Sequence, residues 1–304
     1  MSNFKGWILD AIPRESAIAA RVPIKVNYLA VNRRQLLRLG YLRNYFFPRI
    51  GADNFFIHHR TFLLVDAKRN LKQSRNRIWL THFDDLTDLN QLFLRRNYID
   101  RLFVQNSYIL ELLLTKGFER SKISLQPGAI DRFKFFPSPV VDQGNNYLLI
   151  TGDCKPRKNP LFIQWLIRNF PDLNFIIHGN GWKEFEDGSL RLLPNLTIFE
   201  FDFGRQDEFL RNAIGLLILS TLEGGPVSLL ESLACGTPVI STDVGFAGDI
   251  LDESRGIIVK LEKSIEYWNG VFHLITDIKI ASGHMDLLGG LYSWEDLGNE
   301  FYVL

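Results

Sequence analysis

Cysteine is nearly absent: only Cys154 and Cys235 occur, 81 residues apart, with no CxxC and no Cys/His cluster around them. Neither a disulfide framework nor a zinc site is therefore suggested, and a reducing, cytoplasmic setting is expected. No apolar run approaches the roughly 20 residues that span a bilayer, and the opening Met1-Ser2-Asn3-Phe4-Lys5 lacks the apolar centre of a signal peptide. The expectation is a soluble or peripheral protein. Internal repeats and low-complexity tracts are missing from both halves, which argues against a solenoid or a disordered tail. No G-x-G-x-x-G follows a first strand, so an NAD-dependent oxidoreductase is a weak reading. No metal-binding motif is visible, and no cofactor is expected.

What is present suits folded domains, since 46% of 304 residues are apolar, enough for one large or two ordinary cores. The net charge of +1 hides a division near Pro139. Residues 1–140 hold 23 Lys/Arg and 11 Asp/Glu, giving +12, and residues 141–304 hold 12 and 23, giving −11. Complementary packing of the two halves explains this plainly; the sharper reading gives the basic half an anionic surface or substrate.

The run Pro137-Ser138-Pro139 followed by Asp142-Gln143-Gly144-Asn145-Asn146 is polar and rich in turn formers, and it predicts a domain boundary. Expected domains are 1–138, 139–285 and a C-terminal helical segment, 286–304. In the second half, strands are expected at Tyr147–Thr151, Leu173–His178, Leu196–Phe199, Leu216–Ser220, Pro238–Ser241 and Gly256–Val259. Helices are expected between them at Asn159–Asn169, Asp207–Asn212 and Pro226–Cys235. Alternation of this kind implies an α/β, doubly wound parallel sheet with ligands at the carboxyl ends of its strands. The first half also reads as α/β, with strands at Ile24–Tyr28, Asn54–His58, Arg77–Thr81, Arg101–Val104 and Ile123–Gln126 and a first strand that is short or missing.

One segment carries most of the chemistry. In Leu216–Ile240 a strand runs into Glu223-Gly224-Gly225, Pro226 sits at the expected first helical position, and Gly236 supplies the stop before the next strand. The first-turn N–H groups near Gly225, Pro226 and Val227, left uncovered by two glycines, form an anion site. At about 100° per residue, with Leu229 at zero, the apolar arc holds Leu233, Leu230, Ala234 and Val227, and Glu231 falls at about 200°, on its rim. The distance from Pro226 is roughly 7.5 Å along the axis, suited to a carboxylate that takes ribose hydroxyls while the helix start takes phosphate. An ordinary βαβ turn with two solvated glutamates is the bland alternative.

The string E-G-G-P-x5-E-x3-C-G-T-P-V-I resembles the donor-binding signature of family 4 glycosyltransferases, retaining sugar transferases of the GT-B architecture. Gly152-Asp153-Cys154-Lys155-Pro156-Arg157-Lys158-Asn159 is similar to that family's G-R-x-x-x-R-K loop, and Ile176-Ile177-His178-Gly179-Asn180-Gly181 to the strand and loop after it. Phe103–Ser107 and Lys122–Asp131 resemble the end of the acceptor domain, and Tyr292–Leu297 the C-terminal helix that crosses back to the first domain. The resemblance implies two Rossmann-like domains facing across a cleft and transfer of a sugar from a nucleotide-diphosphate donor with retention and without a metal. It implies that Glu231 holds the ribose, Glu223 the donor sugar, and Lys158 with Gly224, Gly225, Pro226, Val227 and Gly179 the diphosphate side. Asp153 stands where relatives have an Arg, so Lys155 or Arg157 is expected to supply the missing charge; a non-catalytic nucleotide-binding protein of the same fold is the alternative. His58 is the positional match to a His near the donor sugar, and His82, beside Asp84 and Asp85, is a second candidate. A basic stretch with Arg33, Arg34, Arg38 and Arg43 suggests a lipid-linked or membrane-proximal acceptor and peripheral membrane contact. No nucleic-acid recognition motif accompanies the charge.

Overall fold

The computed structural model describes residues 86–137, 146–283 and 285–302, the short stretches 53–56, 62–63 and 75–80, and residues 15, 18, 19 and 21. The chain divides into two compact units, residues 1–127 with 294–304, and residues 128–293. That division precedes the polar run at 137–146 because Ile130 and Phe135 are already buried in the core of the second unit. The expected strand at Ile24–Tyr28 lies outside the described residues, as do the four arginines from Arg33 to Arg43.

In the first unit, β1 (Asp53–Phe56), β2 (Arg75–Leu80), α1 (Leu86–Leu94), β3 (Arg101–Val104), α2 (Ser107–Lys116) and β4 (Ile123–Leu125) follow in order. The strands form one parallel sheet in sequence order. Side chains alternate across it: Ile78, Leu80, Leu102 and Val104 pack with Leu89, Leu92, Ile109 and Leu113 of the helices. Asn106 caps α2 by accepting the Ile109 N–H at 2.9 Å, and Gly117, at φ 95°, ends it.

The second unit contains β5 (Tyr147–Thr151), α3 (Pro160–Asn169), β6 (Asn174–His178), β7 (Leu196–Phe199), α4 (Gln206–Asn212), β8 (Gly215–Ile218), α5 (Val227–Ala234), β9 (Val239–Ser241), α6 (Ala247–Ile250), β10 (Gly256–Ile258) and α7 (Ile265–Ser282). Its sheet is parallel throughout with order β10-β9-β8-β5-β6-β7. Continuous burial of β5 and β8 reflects helices on both faces. Leu149, Leu216 and Ile218 face Leu210, Leu229 and Leu233, whereas Leu148, Ile150 and Leu217 face Ile163, Leu166, Trp268 and Phe272. The strand order reverses between β5 and β8, and an open α/β sheet binds ligands at such a reversal.

Three helix starts differ from expectation by one residue: α4 begins one residue early, at Gln206, and α3 and α5 begin one residue late. Asn159, in the left-handed region at φ 57°, precedes α3, so Pro160 takes the first helical position. Pro226 keeps an extended ψ of 92° and serves as the cap of α5, so the helix begins at Val227. The C-terminal segment forms α8 (Trp294–Tyr302) of the first unit, where Phe301 meets Trp79 and Phe103 edge-on at 5.2 and 4.5 Å between ring centroids.

Candidate functional site

The loops after β5 and β8 meet at the strand reversal. Thr221 N–H donates to Arg157 O at 2.8 Å and Arg157 Nη1 to Leu222 O at 3.4 Å, which ties one loop to the other. The loop after β6 is pressed just as close. A Cβ added to Gly179 would lie 2.0 Å from Gly152 O, a carbonyl that already accepts the buried Trp182 Nε1–H at 2.7 Å. Gly179 therefore packs the loops and supplies no side chain to a ligand.

Glu223 is the centre of a charged cluster. Lys158 Nζ lies 2.8 Å from its Oε1, the Ser220 hydroxyl donates to the same oxygen at 2.8 Å, and Arg157 Nη1 pairs with Oε2. The carboxylate side chain is 10% exposed and that of Lys158 is 18% exposed, so water screens the pair less than it would at the surface. Burial pushes the Glu223 carboxyl up, but Lys158, Arg157 and the Ser220 hydroxyl together hold it below the ordinary carboxylate range. Lys158 and Ser220 also line the crevice between the carboxyl ends of β5 and β8.

The next turn of chain begins α5. Gly225 packs on Gly245, whose φ is 58° and where an added Cβ would come within 2.9 Å of Gly225 Cα and Pro226 Cδ. No side chain caps α5 at its N-terminus; Leu229 N–H donates to Pro226 O at 2.9 Å, and the N–H groups of Val227 and Ser228 stand before it at the helix start. The other end is closed locally: Gly236, at φ 72°, donates to Leu233 O at 3.1 Å, and Thr237 N–H to Ser232 O at 2.9 Å.

Glu231 lies just over one turn into α5, half-buried, as its place on the helical arc predicts. Its Oε2 accepts a hydrogen bond from Gln206 Nε2 at 3.3 Å, and Gln206 Oε1 is 2.8 Å from Nδ1 of His178. Burial pushes the Glu231 carboxyl up to about 7, against the Gln206 hydrogen bond and the positive Lys134, while Asp207 adds to the rise. Lys134 is itself drawn toward Asp207 at 3.3 Å, and Asp207 also takes Arg211 at 2.8 Å.

Asp153 stands apart from the Glu223 cluster. Its two oxygens take Lys155 Nζ at 3.3 Å and Asn180 Nδ2 at 3.0 Å, and both members of the ion pair are about half exposed. Lys158 and Arg157 are thus brought to Glu223, while Lys155 is engaged with Asp153. His58 and His82 lie outside the described residues. Ser220, Gln206 and His178 were not singled out from the sequence. Among the described residues, no group of three His, Cys, Asp or Glu is arranged to hold a metal ion, and no helix is long and apolar enough to cross a membrane.

A two-unit α/β chain of parallel sheets, with a glycine-bounded helix start, a lysine and two carboxylates at a strand reversal, has the fold of GT-B glycosyltransferases. The family of glycosyl transferases group 1 matches residues 131–279, which carry that family's domain. A lipopolysaccharide outer core galactosyltransferase, WaaB, superposes with a TM-score of 0.68 at 15% identity, covering 100% of this chain and 97% of that one. HepE of Anabaena in complex with UDP-glucose gives 0.67 at 13% identity over 96% of this chain and 92% of that one. At such identities these likenesses establish the fold. One component of human phosphatidylinositol N-acetylglucosaminyltransferase is 28% identical over 153 residues, which is 47% of this chain and 31% of that protein's length.

Proposed function

We propose that this chain is a glycosyltransferase that moves a sugar from a nucleotide-diphosphate donor, with UDP as the nucleotide, to an acceptor hydroxyl. Retention of configuration and independence from metal belong to the same reading. The observation that carries it is the conjunction of Lys158, Glu223, the uncapped start of α5 and Glu231 at one strand reversal. UDP and UDP-glucose in HepE support the choice of nucleotide. In this scheme the diphosphate takes the α5 start and Lys158, drawing Lys158 from Glu223 and freeing that carboxylate for the sugar. The bond from sugar C1 to the diphosphate breaks with its electron pair on the leaving oxygen, and Lys158, Arg157 and the helix start offset that charge. The acceptor oxygen bonds to C1 and its proton passes to the departing phosphate.

A lipid-linked acceptor fits the basic first half, and the human relative's name, which includes phosphatidylinositol N-acetylglucosaminyltransferase, supports it. A peripheral, cytoplasmic enzyme acting at a membrane surface follows from that proposal. Asp153 favours one second reading, a nucleotide-binding protein of this fold without transfer activity. Thermal shift with UDP, GDP, ADP and NAD, followed by donor hydrolysis with UDP-sugars, tests both. A ligand at a hundred times its Kd adds about 2.7 kcal/mol, several degrees for a chain of this size. UDP should shift the transition and NAD should not. A shift with NAD alone would overturn the proposal, and UDP binding without hydrolysis or transfer would select the second reading.

A further inference from the structure

Three hydrogen bonds in series run from the backbone to Glu231, and their direction is fixed by chemistry. Asp202 N–H points at His178 Nε2 at 2.9 Å, and a backbone N–H can only donate, so Nε2 is an acceptor and carries no proton. The proton of the neutral ring is then on Nδ1 and is donated to the Gln206 atom facing it at 2.8 Å, which must be the amide oxygen. The amide nitrogen consequently faces Glu231 and donates to Oε2 at 3.3 Å. His178 and Gln206 are 0% and 2% exposed, and the imidazole stacks on Phe201 at 5.1 Å and packs against Phe209 at 4.5 Å. Burial lowers the basicity of His178, which keeps the ring neutral and the series intact.

Resting on the reading of Glu231 as the ribose carboxylate, we propose that His178 and Gln206 are positioning residues that present Glu231 to the ribose diol of the nucleotide. The contrast with Glu223 shows what the arrangement achieves. A lysine or arginine beside Glu231 would orient it but also compete for its charge. An amide held by a neutral imidazole orients it through a single hydrogen bond and leaves Oε1 and the remaining acceptor capacity of Oε2 for two hydroxyls. The imidazole fixes an acceptor and a donor on opposite sides of one rigid ring, and glutamine passes the polarity on without a charge.

Calorimetric titration of the full chain with UDP and with 2′,3′-dideoxy-UDP, which lacks both ribose hydroxyls, measures the diol preference directly. The natural protein should prefer UDP by about tenfold to a hundredfold. In His178→Phe, which keeps ring packing, and in Gln206→Leu, the preference should fall below about threefold with dideoxy-UDP affinity unchanged within about twofold. His178→Asn, whose side-chain N–H replaces that of Nδ1, should restore most of it. A merely structural role would weaken both ligands together and leave the ratio intact, so an undiminished ratio in folded His178→Phe and Gln206→Leu overturns the proposal. Should either variant fail to fold, the other and His178→Asn decide. A natural protein that binds UDP and its dideoxy analogue equally would overturn the ribose role of Glu231 itself, an outcome distinct from loss of preference in the variants.

Discussion

The loop that ends in Glu223 and the helix that carries Glu231 lie eight residues apart in the sequence and hold their carboxylates by opposite means. Glu223 is gripped by Lys158, Arg157 and Ser220, and its pKa is pulled below the ordinary carboxylate range. Glu231 meets one neutral donor, Gln206, and burial raises it to about 7. The same residue type is thus held ionised by charge in one place and left sensitive to protons in the other. In the proposed scheme, charge attraction suits a group that surrenders its cation to a diphosphate, and a neutral hydrogen bond suits one that keeps its acceptors for hydroxyls.

The largest expected effect comes from breaking the packing of the loops after β5 and β6, which underlies both carboxylates' surroundings through Gly152 and His178. In Gly179→Ala the new methyl group meets a backbone carbonyl at 2.0 Å, and the loops after β5 and β6 must part. Overpacking of this kind costs about 3 kcal/mol, which urea denaturation will report; a loss under about 0.5 kcal/mol would mean that the loops yield freely. Lys158→Ala comes next and separates the two regions by ligand. UDP affinity should fall by about tenfold to a hundredfold, the scale of charged hydrogen bonds, while uridine binding stays unchanged. Equal losses for both ligands would remove Lys158 from the phosphate. Glu231→Gln should weaken UDP and uridine alike by about tenfold or more, and it should raise the stability of the unliganded protein above about pH 7, because it removes a carboxyl whose ionised form burial disfavours.

A pH series sharpens the contrast. Since the Glu231 pKa in the folded chain is raised to about 7, the unliganded protein loses stability as pH climbs from the ordinary carboxylate range through about 7. Under the proposed ribose role nucleotide binding should follow the opposite course, since the diol would then need the ionised form: affinity should drop about tenfold between pH 8 and pH 6. Lys134 and Asp207, the charged groups near Glu231, act in opposite directions on its pKa. Protonation of the ligand's own phosphate is removed by comparison with Glu231→Gln, whose profile should be flatter by that factor. Glu223, held below the ordinary range, should contribute nothing to the slope above pH 6. Identical profiles for the natural protein and Glu231→Gln would refute the assignment.

The order of the strands in the second unit, and of α3, α4 and α5 between them, was readable because each carries a local signal; α6 and the long α7 were not expected. The apolar run Tyr147–Thr151 is a buried parallel strand as expected, and Gly236 stops α5 where the C-terminal signal places it. Glu231 was placed by helical period alone and lies on the half-buried rim. What stayed hidden depends on contacts between elements. His178 ends β6, Gln206 starts α4 and Glu231 sits in α5, the partners 28 and 25 positions apart, and no local spacing announces a chain of hydrogen bonds. A histidine at the carboxyl end of a parallel strand was the available clue. Pro226 misled by one residue, because its fixed φ suits both the first helical position and the cap before it; its ψ of 92° is set by the loop around Gly225 and Gly245.

The smallest expected effect tests Asp153, the position at which this chain departs from the arginine that its resemblance leads one to expect. Its carboxylate is occupied by Lys155 and Asn180 at half-exposed positions, so its repulsion of a diphosphate is partly neutralised and partly screened. Asp153→Arg removes the attraction for Lys155 and adds a cation to the loop that carries Lys158. UDP affinity should rise by about threefold at low salt and the gain should vanish near 1 M salt, where screening shortens to about 3 Å. Uridine lacks the diphosphate that the added cation would attract and should show no comparable salt-dependent gain, so the ratio of UDP to uridine affinity reports the change. A gain of donor hydrolysis in Asp153→Arg where the natural protein has none would select the non-catalytic reading. Loss of an existing activity would mean that Lys155 or Arg157 already supplies the missing charge and that a second cation displaces it.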